Sequence, residues 1–124
     1  MLNELSKEIH NNAKEKGFYE KERNISELLM LIVSELGEAQ EALRKGKRVR
    51  YWQIDYYKDC VDNPNLDADM VFESSIKDTF EDEIADSIIR LLDLCGYMNI
   101  DIDFHLKEKM KYNKNREYKH GKKF

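Results

Sequence analysis

The sequence predicts an all-α protein, an antiparallel helical bundle of about four to five helices, and three observations lead there. Apolar residues recur at i, i+3, i+4 and i+7 through two long segments, the spacing of one face of a helix. Residues that start and stop helices flank those segments. Only five glycines and a single proline, Pro64, interrupt a chain that is 37% charged, a balance that suits helices with solvated outer faces.

Residues 3–16 read as a first, modest helix, with Lys14 and Lys16 in its last turn and Gly17 as the stop. The clearest helix follows. Asn24 is its N-cap, with Glu27 three residues on, and Arg44, Lys45 and Gly46 close it. Between those caps Ile25, Leu28, Leu29, Ile32, Val33, Leu36, Ala39 and Leu43 form one stripe. Residues 47–68 break the pattern. Tyr51, Trp52, Tyr56 and Tyr57 lie among charged residues and Asn63-Pro64-Asn65 follows, which reads as an irregular or partly strand-like connection with one definite turn. A connection of that length points to a lid or an oligomer contact. Trp52 is accordingly either a base or lid contact or an anchor to the protein itself or a partner subunit. From about Asp69 to Asn99 the pattern is one long helix, frayed or bent near its start, with Phe80, Ile84, Ile88, Leu91, Leu92, Cys95 and Met98 on its apolar stripe. Asp101 or Asp103 then caps a last helix containing Phe104, Leu106 and Met110.

At 124 residues the chain reads as one domain, 1–124, with a basic tail at about 111–124. No apolar run approaches the roughly 20 residues that span a bilayer. The first residues lack the pattern of a signal peptide, so a cytoplasmic location is expected and no membrane partner. Cys60 and Cys95 have neither metal nor disulfide spacing, and Cys95 reads as core. The net charge of −4 hides an asymmetry: His105 to Phe124 holds eight Lys/Arg against two acids, and the rest of the chain is strongly acidic. Such a body repels a nucleic-acid duplex, and no recognition module is present, so no nucleic-acid partner is expected. The tail reads either as a solvated end or as a phosphate-binding segment.

Two acidic phrases carry the chemistry. Glu35-Leu-Gly-Glu38 and Glu83-Ile-Ala-Asp86 each place two carboxylates three residues apart, one helical turn, at the rim of an apolar stripe. Like charges there repel, and one such pair is common on any acidic surface. Two pairs on neighbouring helices meet when the stripes pack, and four clustered carboxylates are costly unless a cation answers them. Arg90, four residues after Asp86, is a candidate partner for it. His10, His105 and His120 do not stand in the Glu-x-x-His pattern of di-iron bundles and read as surface or tail residues. All-oxygen ligation therefore favours Mg²⁺, with Mn²⁺ able to substitute.

These residues resemble a known family. Leu29 to Leu43 (LMLIVSELGEAQEAL), followed by Glu83 to Leu92 (EIADSIIRLL), is similar to the MazG-like all-α nucleoside triphosphate pyrophosphohydrolases. The run Lys109 to Phe124 matches the tail of small members in its Lys-x-x-x-Asn-x-x-Arg spacing, here Lys109, Asn113 and Arg116. Forty-four residues separate Glu38 from Glu83, longer than is usual in that family, and the excess is the aromatic connection. The resemblance implies a core completed as a homodimer or dimer of dimers. It also implies Mg²⁺-dependent hydrolysis of a (d)NTP to the nucleoside monophosphate and pyrophosphate. On that footing Glu35, Glu38, Glu83 and Asp86 hold metal, and Glu38, with Glu35 beside it, is the catalytic base. Lys109, Asn113 and Arg116 receive the substrate phosphates. The competing expectation is a catalytically silent helical binding or regulatory protein that keeps the metal-binding shell. Glu41, on the outer face of the same helix, is left out of the site.

Overall fold

The computed structural model describes residues 1–121, with side chains described through Lys119. The basic residues Lys122 and Lys123 and the side chain of His120 lie outside the described residues. The described chain is all-α and without strands: α1 (Leu2–Glu15), α2 (Ile25–Arg44), α3 (Tyr51–Val61), α4 (Ala68–Ser75), α5 (Phe80–Tyr97) and α6 (Ile102–Lys114), then a 3₁₀ turn at Tyr118–Gly121. Six helices replace the four to five expected, for two reasons.

Residues 47–68 are not an irregular or strand-like connection. They contain α3 and lead into α4. On α3 the inward positions are Ile54, Tyr57 and Cys60, spaced by three, with Cys60 fully buried. That is a helical period, hidden by aromatic and β-branched residues that favour strands on propensity alone. Gln53 helps start the helix by accepting from the Arg50 backbone N–H at 2.9 Å. Trp52 stays exposed on its outer face.

The expected single helix from 69 to 99 is also broken. Asp67 caps α4, accepting from the Met70 N–H at 3.2 Å, and the helix stops at Ser75. Thr79 then starts α5: its hydroxyl accepts from the Asp82 N–H at 3.3 Å and donates to the Ile76 carbonyl at 2.7 Å. Between them Asp78 sits at φ 65°, a left-handed conformation no helix interior tolerates.

The chain divides into two compact units, Met1–Glu22 with Leu92–Phe124, and Arg23–Leu91, so α5 contributes to both. In the unit Arg23–Leu91, α3 packs on α4, with Tyr57 meeting Phe72 edge-on at 5.9 Å. α2 begins at Asn24 as expected, its side chain accepting from the Glu27 N–H. It ends at Arg44, and just beyond it Gly46, with φ of 70°, permits the reversal that lets Lys47 N–H reach the Ala42 carbonyl at 2.9 Å. The Lys47 carbonyl in turn accepts from the Phe80 N–H at 2.8 Å, tying the end of α2 to the start of α5. Only part of the expected α2 stripe is covered: Leu28, Ile32 and Ala39 are buried, while Leu29, Val33, Leu36 and Leu43 stay exposed.

In the other unit α1 packs on α6 and on the last turns of α5. The α1 N–H groups of Leu2 and Asn3 donate to the Asp103 carboxylate at 2.9 and 3.1 Å, so a residue on α6 caps α1. Asp101, one of the two expected caps, starts α6 by accepting from the Phe104 N–H at 3.1 Å. Buried Ser6 donates to the Leu92 carbonyl at 2.5 Å. His10 is not the surface histidine its isolation in the sequence suggests. Its Nδ1 lies 2.9 Å from Asp93 Oδ1, and Tyr19 Oη donates to Asp93 Oδ2 at 2.5 Å.

Gly96 makes this approach of α1 and α5 possible. A Cβ there would stand 2.7 Å from His10 Cβ and 3.0 Å from the Ser6 carbonyl oxygen. Alanine in a helix interior gains about 1 kcal/mol over glycine, but a clash with backbone costs more. Gly96→Ala is expected to lower the unfolding free energy by about 1–2 kcal/mol. Urea denaturation followed by circular dichroism checks this, and a variant as stable as the parent contradicts the contact.

Candidate metal centre

The four predicted acids all lie in the unit Arg23–Leu91. α2 carries Glu35 and Glu38, and the first turns of α5 carry Glu83 and Asp86. The packing converges three of them: one carboxylate oxygen from each of Glu35, Glu38 and Glu83 lies within 4.8 Å of the others. Opposite ligands on an octahedral Mg²⁺ stand about 4.2 Å apart, given bonds of about 2.1 Å. At most one pair of the three can be opposite, so drawing all three onto one hard cation takes side-chain adjustment as well as proximity. Asp86 is not within this group of three. It is half-buried one turn on, close enough that its charge acts on Glu83.

Burial is graded across the cluster. Glu38 is exposed, Glu35 intermediate, and Glu83 keeps only 6% of its surface accessible. Glu83 Oε2 is fully buried and has no hydrogen-bond partner. An oxygen in that position costs on the order of 1–3 kcal/mol unless a donor or a cation reaches it. The donor set is all-oxygen and anionic, which fits Mg²⁺ or Mn²⁺ and does not fit a soft metal.

The carboxyls respond differently to being brought together. Burial, then the charges of Glu38, Asp86 and Glu35, pushes Glu83 up to about 7. Glu38 is raised chiefly by its hydrogen bond with Glu35 and by that neighbour's charge. Burial works to raise Glu35 too, but hydrogen bonds from Arg90, Glu38 and Glu83 outweigh it, and Glu35 ends below the usual carboxylate range. Asp86 is raised by burial and by Asp82 and Glu35, against a counter-pull from Arg90.

Arg90 does not pair with Asp86. Its Nε donates to Glu35 Oε1 on α2 at 2.8 Å. It stands seven residues after Glu83, the same helical face two turns on, so its presence at the cluster was legible in the spacing. Which acid it takes depends on how α2 packs on α5, and no local spacing encodes that. Glu41 is on the outer face as expected, held by Arg44 at 2.9 Å and Lys45 at 3.4 Å.

The residues expected to receive phosphate belong to the other unit. Lys109 and Asn113 lie on α6, and Arg116 just beyond it. Tyr112 gathers them: Lys109 Nζ lies 5.1 Å and Arg116 Cζ 5.6 Å from its ring centroid. Asn113 Oδ1 is buried without a hydrogen-bond partner.

No family model matches this chain. No curated protein or solved structure is found to match it either.

The raised Glu83 carboxyl makes stability pH-dependent in a definite direction. The folded state holds a proton there that the unfolded chain releases near 4.5. The associated stabilisation is complete below about pH 4.5 and is lost as pH rises through 7, up to about 3 kcal/mol for that shift. Metal-free protein is expected to be less stable at pH 8 than at pH 5 relative to Glu83→Gln, which cannot ionise. Urea titrations of both proteins at the two pH values measure the difference; parallel pH dependence in the two refutes it.

Proposed function

We propose that this protein is a Mg²⁺-dependent nucleoside triphosphate pyrophosphohydrolase that converts a (d)NTP and water to the nucleoside monophosphate and pyrophosphate. The observation that carries the reading is the convergence of Glu35, Glu38 and Glu83 from two helices, with the buried Glu83 Oε2 lacking any donor. A bound cation would neutralise triphosphate oxygens and acidify water. Glu35, Glu38 and Glu83, with Asp86 one turn on, are the residues that would hold it. Glu38, the exposed member, takes the proton from the attacking water, and Glu35 beside it fixes where that proton sits. Water adds to phosphorus at the α–β bridge, the bridging bond breaks, and pyrophosphate leaves with the electron pair.

In the unit Met1–Glu22 with Leu92–Phe124, Lys109 and Arg116, gathered on Tyr112, offer paired positive charge suited to a phosphate group. Asn113 is suited to a different contact. Its Oδ1 is buried without a partner, so the group it would offer a phosphate oxygen is the Nδ2 amide. Trp52, exposed on α3, offers a face for stacking a base. The functional assembly in this reading is a homodimer or homotetramer: Leu29, Val33 and Leu36 on α2 and Ile88 and Leu91 on α5 are exposed apolar residues that a second copy would cover. Cys60 and Cys95, both buried free thiols, fit a reducing cytoplasm.

A panel of (d)NTPs with Mg²⁺, scored for monophosphate and pyrophosphate, tests the activity. At least one substrate is expected to turn over, with EDTA stopping it. Metal binding without product from any nucleotide favours instead a silent binding protein that keeps the shell. Glu38→Gln and Asp86→Asn are each expected to reduce kcat by 10²-fold or more, about the loss of a positioned base or ligand, with the helical circular dichroism unchanged. Wild-type pyrophosphate release from either variant removes that residue from the site. Sedimentation velocity checks the assembly, and Leu36→Glu is expected to shift it to monomer.

A further inference from the structure

Arg90 is placed to do more than pair a surface acid. Its Nε donates to Glu35 Oε1 across 55 residues of sequence, at 2.8 Å, and Glu35 is one of the three carboxylates that converge. The two partners differ in what surrounds them: the arginine side chain keeps 42% of its surface exposed and the glutamate 12%. The guanidinium has water to move into, and the carboxylate does not. Arginine stays charged at any working pH, so the contact is not lost by deprotonation of its cation.

We propose that Arg90 is a built-in counter-cation for the carboxylate cluster, occupying Glu35 in the metal-free protein and holding down the cluster's affinity for divalent ions. This rests on the metal-site reading above and adds a residue that sets occupancy. A divalent ion arriving between Glu35, Glu38 and Glu83 meets a fixed positive charge on one ligand. It must displace that charge or bind against its repulsion. The metal-free cluster is stabilised by the same contact, which lowers what the metal gains on entering. Both effects have the same sign. Removing the charge tightens metal binding and weakens the metal-free fold. The useful consequence is a site that stays largely empty of free Mg²⁺ and fills best when an anionic ligand brings the ion with it.

The test is calorimetric titration of the full chain with Mn²⁺ alone, without nucleotide, at low salt. Arg90→Gln is expected to bind about tenfold more tightly than wild type, equivalent to about 1.4 kcal/mol. Arg90→Lys, which keeps the charge, should stay within about threefold. In a Glu35→Gln background the Arg90→Gln effect should fall below about threefold, because the contact it acts through is gone. Raising NaCl should narrow the wild-type gap. Unchanged or weaker binding by Arg90→Gln overturns the role, and so does a tenfold gain that survives Glu35→Gln. Should Arg90→Gln unfold, the comparison of Arg90→Lys with wild type still decides: a gain of tenfold with the charge retained is incompatible with a counter-cation. The failure of the metal site itself looks different. There, wild type binds no Mn²⁺, or Glu83→Gln binds it as well as wild type does.

Discussion

Three carboxylates can be folded into one place only if something answers their charge, and the unit Arg23–Leu91 is built around that requirement. The packing of α2 against the first turns of α5 brings Glu35, Glu38 and Glu83 together, and burial of Glu83 removes the water that would otherwise screen them. Without a metal the charge is answered twice. Arg90 takes Glu35, and Glu83 keeps a proton up to about pH 7. Both answers are makeshift, because Glu83 Oε2 remains without a partner. Leucine at these positions would carry none of that cost, and this is what supports the metal-site reading proposed above.

The all-α class and the convergence of three of the four acids, Glu35, Glu38 and Glu83, were legible for the same reason, while Asp86 stays outside that group. Glu35/Glu38 and Glu83/Asp86 sit on the rims of strongly periodic helices, and a spacing of three on a helix is a statement about direction as well as identity. Asn24, Gly17 and Gly46 marked ends correctly because caps act locally. The aromatic region was misread because its residue types favour strands, although Ile54, Tyr57 and Cys60 repeat with a helical period. The break before α5 was also present in the letters, as Thr79 followed three residues later by Asp82. What no local reading supplies is tertiary choice. Arg90 could reach Asp86 on its own helix, yet it takes Glu35 on another, and His10 finds Asp93 across 83 residues.

α5 shows how one helix serves two environments. Its first turn is acidic, and there the negative charge of Glu81 and Asp82 gains from the helix dipole. Glu81 is engaged by Arg48 at 2.6 Å and by the Val49 N–H at 3.2 Å, which secures the entry to α3 beside the cluster. Its last turns are small and apolar enough, at Leu92, Cys95 and Gly96, to receive α1 closely. The switch from clustered acids to close packing occurs within 18 residues.

The capping of α1 by Asp103 bears on how that unit opens. A helix whose first amide hydrogens are held by a carboxylate about 100 residues away has no start signal of its own. α1 cannot keep its opening turn once α6 departs, and α6 loses the polar contacts of Asp103 when α1 frays. Amide protons in the two helices, remote in sequence, therefore belong to one cooperative opening, exchanging with solvent at a common rate set by whichever end lets go first.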